Sequence, residues 1–168
     1  SMFIAPKQDG FRVGKRLEKL GYKSIDSAEL VFDNYRISKE HLIGGVEGKG
    51  FLHATGGLEL GRINVASRGV GVAEGALQLA LEYAQIRKTF GKPICEHQAI
   101  QLKLGEMATR ARAARLLTLD AAETFDRGER CDMEAGMAKY FSSEAAFENS
   151  AEALRIHGRA LAGGRPTR

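Results

Sequence analysis

The chain's 168 residues suffice for one domain with a real core, and 43% apolar content with few aromatics fits a globular, Ala/Leu-rich helical protein. A net charge of +4, with basic residues interleaved among acidic ones, excludes a nucleic-acid-binding tract and leaves a modest bias toward anionic ligands. No apolar run reaches the ~20 residues that cross a bilayer, and two cysteines, Cys95 and Cys131, form neither a disulfide framework nor a CxxC metal site, which points to a reducing compartment.

Phe3 enters a strand pattern directly, with no signal peptide before it, so the chain is expected to begin inside something larger. The apolar run Phe3-Ile4-Ala5, a turn at Gln8-Asp9-Gly10 and the run Phe11-Arg12-Val13 predict a hairpin. From Ala28 to Ile37 the alternation of Ala28, Leu30 and Phe32 with Glu29, Val31 and Asp33 predicts a half-buried strand. Three short strands cannot cover a sheet face, so residues 1–44 read as the remnant of a larger β-domain and its linker, with residues 41–48 rich in glycine. His41 and His53 lack ligand spacing and read as surface or packing residues.

The first helix is predicted from about Lys49 to Gln85, with Val70, Ala73, Leu77, Leu81 and Ala84 on one stripe. Its glycines each cost on the order of 1 kcal/mol against alanine. Gly69, Gly71 and Gly75 read as close helix packing, whereas Gly56 to Arg62 reads as a site. The stretch Arg87 to Gln98 then makes an elbow, broken by Gly91 and Pro93. It gathers Arg87, Lys88, Thr89, His97 and Gln98, a donor set that suits phosphate oxygens. A second helix is predicted from Glu96–Ala99 to Gly128, with Ile100, Leu104, Met107, Ala111, Ala114, Thr118, Ala121 and Phe125 inward and Arg110, Arg112 and Arg115 solvated. A third follows Asp132 as N-cap, with Met133, Met137, Tyr140, Phe147, Ala151 and Leu154 as core face and Glu144 breaking it. Short connections predict a mainly α fold: an up-down antiparallel helical bundle over residues 45–158 behind a short β segment. Residues 159–168 form an atypical basic, Gly-rich tail.

The string R-K-x-F-G-x-P-I-x-x-x-Q at Arg87–Gln98 resembles the C-terminal helical domain of the acyl-CoA dehydrogenases. Leu20-Gly21-Tyr22, Glu29-Leu30-Val31-Phe32-Asp33, Leu42-Ile43-Gly44 and Met137-Ala138-Lys139-Tyr140-Phe141-Ser142 resemble its flanking segments. The resemblance implies that Arg87, Lys88, Thr89, Phe90, His97 and Gln98 complete an FAD pocket begun on a neighbouring subunit. Gly57-Leu58-Glu59-Leu60-Gly61-Arg62 is similar to the family's G-[LF]-[DE]-x-x-R. Glu59, Leu60, Gly61 and Arg62 would then meet the acyl-CoA substrate, Glu59 at the pantetheine arm and Arg62 near the thioester tail. Without the resemblance, Glu59 and Arg62 read as a surface i,i+3 ion pair. Arg155, Ile156, His157 and Gly158 stand where the family has Q-I-H-G, a turn lying on FAD phosphates, with Arg155 in place of the glutamine and nothing corresponding beyond Gly158.

Some members carry the catalytic glutamate at the position of Gly61. Others carry it after that turn, so no catalytic base is expected in this chain. The implied activity of the parent is α,β-dehydrogenation of an acyl-CoA to a 2-enoyl-CoA. Electrons would pass to an electron-transferring flavoprotein, in a homodimer or homotetramer, in the cytoplasm if bacterial and the mitochondrial matrix if eukaryotic. A bundle lacking a further helix is expected to leave an apolar groove. The alternatives are a non-enzymatic helical oligomerisation or CoA-binding module and an acyl-CoA oxidase-like relative.

Overall fold

The structure, a computed structural model, describes residues 1–158; the tail expected at 159–168 lies outside them. The chain divides into two units, Ser1–Gly56 and Gly57–Arg168.

In the first unit, β1 (Phe11–Arg16) pairs antiparallel with β2 (Ala28–Phe32), Phe11 opposite Phe32 and Val13 opposite Leu30. The expected hairpin between Phe3 and Phe11 does not form. Phe3 instead makes an isolated bridge with Leu42, and Pro6 has no N–H to give to a ladder. Gly10 turns the chain at φ 85° and runs beside the end of β2, accepting the Asp33 N–H at 2.8 Å; a Cβ there would meet the Asp33 carbonyl at 2.6 Å. β2 stops at Phe32 rather than Ile37, and Asn34 turns away at φ 47°. The aromatic rings of Phe11, Phe32 and Tyr35 pack in series at 5.4 and 5.2 Å. Val13, Leu30 and Phe32 stay exposed, since two strands cannot cover their own face.

Three helices make the bundle: α1 (Gly50–Ile86), α2 (Gln98–Asp126) and α3 (Asp132–His157), within a few residues of expectation. α2 ends as glycine dictates. Gly128 takes φ 72°, its N–H donates to Phe125 O, and Glu129 N–H donates to Thr124 O, the paired bonds of a Schellman stop. Asp132 is not the N-cap of α3. Cys131 holds that position, and the Asp132 carboxylate is taken by Arg130 at 2.6 and 3.1 Å, which holds it below its usual range.

The core is built of small residues. Ile63 and Ala66 of α1 pack with Ala121, Cys131, Ala135 and Ala138 at one end; Val70 and Ala73 with Ala111, Ala114 and Ala145 in the middle; Ala80 and Ala84 with Leu104, Met107, Ala153 and Ile156 at the other end. Such side chains let the helix axes approach closely. At Gly69 the approach is tightest, since a Cβ would sit 2.8 Å from the Ser142 carbonyl oxygen. Gly71 and Gly75, by contrast, face open space, so close packing explains only the first of the three.

The expected core face of α3 is overturned. Met133, Tyr140 and Phe147 are 69%, 67% and 73% exposed, and Met137 and Leu154 lie outward with them. The buried stripe is Ala135, Ala138, Ser142, Ala145, Asn149, Ala153 and Ile156. Both stripes have helical period, and the larger side chains lost because the three-helix contact admits only small ones.

Candidate functional site

Arg87 leaves α1 and leads into a small hairpin, β3 (Lys88–Thr89) antiparallel to β4 (Lys92–Pro93). Phe90 and Gly91 form its two-residue turn with φ of 52° and 83°, the primed-turn pattern that matches strand twist. The turn is thus made at Phe90-Gly91 rather than forced by Pro93, which sits in β4. Ile94 N–H closes back on Arg87 O at 2.8 Å, and a single 3-10 turn, Ile94–Glu96, delivers the chain to α2. His97 occupies the N-cap of α2 without capping it through its side chain. Its Nε2 instead lies 3.0 Å from Thr89 Oγ1 and 3.4 Å from Thr89 O, tying the start of α2 to the hairpin. Phe90 is 97% exposed, edge-on to the His97 ring at 6.1 Å.

This elbow is one wall of a cavity of about 620 Å³. Arg87, Thr89, Phe90, Ile94 and His97 line it, Tyr83 and Ile100 enter from α1 and α2, and Ile156, His157 and Gly158 close it from the end of α3. Two segments singled out separately in the sequence therefore meet in one place. Lys88, Gln98 and Arg155 do not line the cavity. Lys88 and Gln98 are exposed beside it, and the Arg155 guanidinium pairs with Glu152, which Lys103 of α2 also grips. Those two cations hold the Glu152 carboxyl below its usual range, Lys103 through the larger effect and against the opposing cost of burial. Sequence reasoning missed Tyr83. It lies one helical turn before Arg87, and that i,i+4 relation was the available signal. Its ring stacks on His157 at 4.4 Å and 23°.

The second candidate cluster lies at the far end of α1. Glu59 is half-buried and its Oε2 accepts a weak S–H bond from the buried Cys131 at 3.8 Å. Burial first, and then the Glu59 charge, push the Cys131 thiol up, so it stays neutral. No ion pair joins Glu59 and Arg62 among the described residues, which removes the i,i+3 reading. Glu59 turns instead to the α2–α3 corner, where Arg130 adds positive potential, while Arg62 bears on Asp132. Leu60, Gly61 and Arg62 are exposed, and at Gly57 and Gly61 an added Cβ would meet nothing within 4 Å. At 1.5 Å per residue, Glu59 and Arg87 stand roughly 40 Å apart. Among the described residues no group of three or more His, Cys, Asp or Glu is placed to hold a metal, and no helix is long and apolar enough to cross a membrane.

Over 159 residues the chain is 45% identical to an acyl-CoA dehydrogenase of Bacillus subtilis, covering 94% of this chain and 42% of that protein. The butyryl-CoA dehydrogenase of Megasphaera elsdenii superposes with a TM-score of 0.85 at 39% identity, over 90% of this chain and 39% of that one. PigA in complex with FAD and proline superposes at 0.86 with 27% identity, over 94% of this chain and 41% of that one. The chain thus spans about two fifths of the length of the relatives it matches. Residues 48–165 match the family model of the acyl-CoA dehydrogenase C-terminal domain, so the correspondence expected to end at Gly158 runs on to residue 165, and the chain belongs to that family.

Proposed function

We propose that this chain is the helical part of a flavin-dependent acyl-CoA dehydrogenase and that its contribution is to complete an FAD pocket and a CoA contact. The observation that carries the reading is the single cavity shared by the Arg87–His97 elbow and the end of α3. Its residues fit the cofactor: Arg87 offers a fixed cation for phosphate, Thr89 and His97 add polar groups, and Ile94, Ile100, Ile156 and Tyr83 give apolar and aromatic surface. When bound, FAD supplies the capacity to accept hydride from the β carbon of an acyl thioester. Arg87 binds and orients the cofactor, Lys88 and Gln98 extend its polar rim, and Phe90 and Gly91 shape the turn that presents Arg87. Glu59 accepts a hydrogen bond from the pantetheine arm, with Arg62 near the thioester end.

The two clusters sit too far apart along α1 to touch one reacting centre. They serve different active centres, which requires a homodimer or homotetramer in which each elbow completes a neighbour's site. Residues 1–44 belong with the β-domain that begins that site. The base that removes the α proton comes from outside this chain, since Gly61 offers no side chain. The electron acceptor is an electron-transferring flavoprotein, and the setting is cytoplasmic in a bacterium or the mitochondrial matrix in a eukaryote.

The test is a titration of the purified chain with FAD, followed by flavin fluorescence and by assay with acyl-CoA. Saturable binding that Arg87→Gln weakens at least tenfold, without turnover, is the expected result. Turnover by the chain alone, or binding indifferent to Arg87, contradicts the reading. A non-enzymatic module predicts CoA binding with no response to FAD.

A further inference from the structure

The corner that joins α2 to α3 meets the Glu59 cluster through three consecutive residues, and each is engaged differently. Cys131 is fully buried, packed among Ile63 and Ala66 of α1 and Ala135 and Ala138 of α3. Its Sγ is the donor to Glu59 Oε2 at 3.8 Å. Arg130 and Asp132, on either side of it, clamp each other by hydrogen bonds of 2.6 and 3.1 Å. Arg130 also feels the Glu59 charge, and Asp132 feels that of Arg62. Along the path Glu59, Arg130, Asp132, Arg62 the charges alternate in sign, so each carboxylate sits in a positive potential and each guanidinium in a negative one.

A buried thiol ordinarily serves as a small apolar filler. Here it also carries a donor aimed at a carboxylate. Glu59 is half-buried and forms no ion pair among the described residues, so without a donor its side chain would spread over several rotamers. The S–H bond favours one of them, with Oε2 turned to the corner and Oε1 left to accept from outside. Burial keeps the thiol protonated, so the donor persists at neutral pH. We propose that Cys131 is a positioning residue for the CoA contact: its S–H sets the Glu59 carboxylate to accept an amide N–H of the pantetheine arm, and the Arg130–Asp132 clamp fixes the backbone that carries it. The proposal rests on the reading of Glu59 as that acceptor. The corner itself belongs to no segment that carries the family resemblance.

The experiment uses the whole chain. Raman spectroscopy of the thiol S–H stretch, in a Cys95→Ala background that leaves one thiol, reads the bond without any ligand. Calorimetric titrations with CoA, pantetheine and ADP read its consequence. The Cys131 band is expected below that of a free thiol, because donation to a carboxylate weakens the S–H bond, and Glu59→Leu is expected to bring it back up. Cys131→Ala is expected to weaken CoA and pantetheine about fivefold while leaving ADP unchanged. Cys131→Ser restores a donor and is expected to recover most of that loss. Cys131→Val fills the space without a donor and is expected to recover none of it. A thiol band unmoved by Glu59→Leu overturns the proposal, as does unchanged CoA affinity in Cys131→Ala. Full affinity in Cys131→Val overturns it too, since that marks packing alone, and so does an equal loss of ADP, which marks general damage. If the thiol bond is seen but neither CoA nor pantetheine binds the unaltered chain, the reading of Glu59 fails and takes the positioning role with it, while the bond stands.

Discussion

Asn149 sits fully buried where the three helices meet, and its amide nitrogen donates to the Ala73 carbonyl of α1 at 3.2 Å and the Met107 carbonyl of α2 at 3.0 Å. Its amide nitrogen is fully used by these two bonds, while its Oδ1 is buried with no hydrogen-bond partner among the described residues. Asn149→Ala removes both ties and leaves a void, and is expected to cost about 2–3 kcal/mol in urea denaturation. Glu152 ties α3 to α2 by a different means, through Lys103, with Arg155 on its other side. Its folded pKa lies below the ordinary 4.5. The unfolded chain therefore binds the proton more readily, so the stabilisation is present above that value and is lost as pH falls through the depressed one. Denaturation midpoints measured from pH 7 down to pH 3 are expected to fall more steeply for the unaltered chain than for Glu152→Gln.

The glycines of α1 separate two effects at the scale of the element. Gly69 meets the backbone of Ser142, so Gly69→Ala is expected to push α1 and α3 apart and cost about 1–3 kcal/mol. Gly71 and Gly75 face open space within the same helix, and Gly→Ala there is expected to stabilise by up to about 1 kcal/mol. Melting curves of the three variants give the signs directly. The helices were legible from the sequence because long amphipathic stretches bounded by Gly91, Pro93 and Gly128 leave little choice. The inward stripe of α2 was legible for the same reason. The stripe of α3 was not, since it carries two helical-period stripes and the more hydrophobic one points out. The hairpin was misread because local turn signals at Gln8–Gly10 say nothing about which distant strand completes the pair. The elbow's donor set was visible residue by residue, but its union with Ile156–Gly158 depends on how α3 folds back, which no local pattern carries.

At the scale of the whole molecule, α3 presents Met133, Met137, Tyr140, Phe147 and Leu154 to the outside, an apolar face made of residues the sequence led us to expect in the core. Soluble proteins seldom leave such a face bare. The chain is expected to bind a hydrophobic dye or to self-associate, and the double variant Tyr140→Glu, Phe147→Glu is expected to abolish either behaviour while leaving the helical signal intact. A monomeric chain that binds no dye contradicts this.

The cavity where the elbow and the end of α3 meet is the proposed cofactor site. Backbone NMR of the chain titrated with FAD tests it most directly. Shifts gathered on Tyr83, Arg87 to His97 and Ile156 to Gly158 are the expected result. An unchanged spectrum, or shifts gathered around Glu59 and the α2–α3 corner instead, would contradict it.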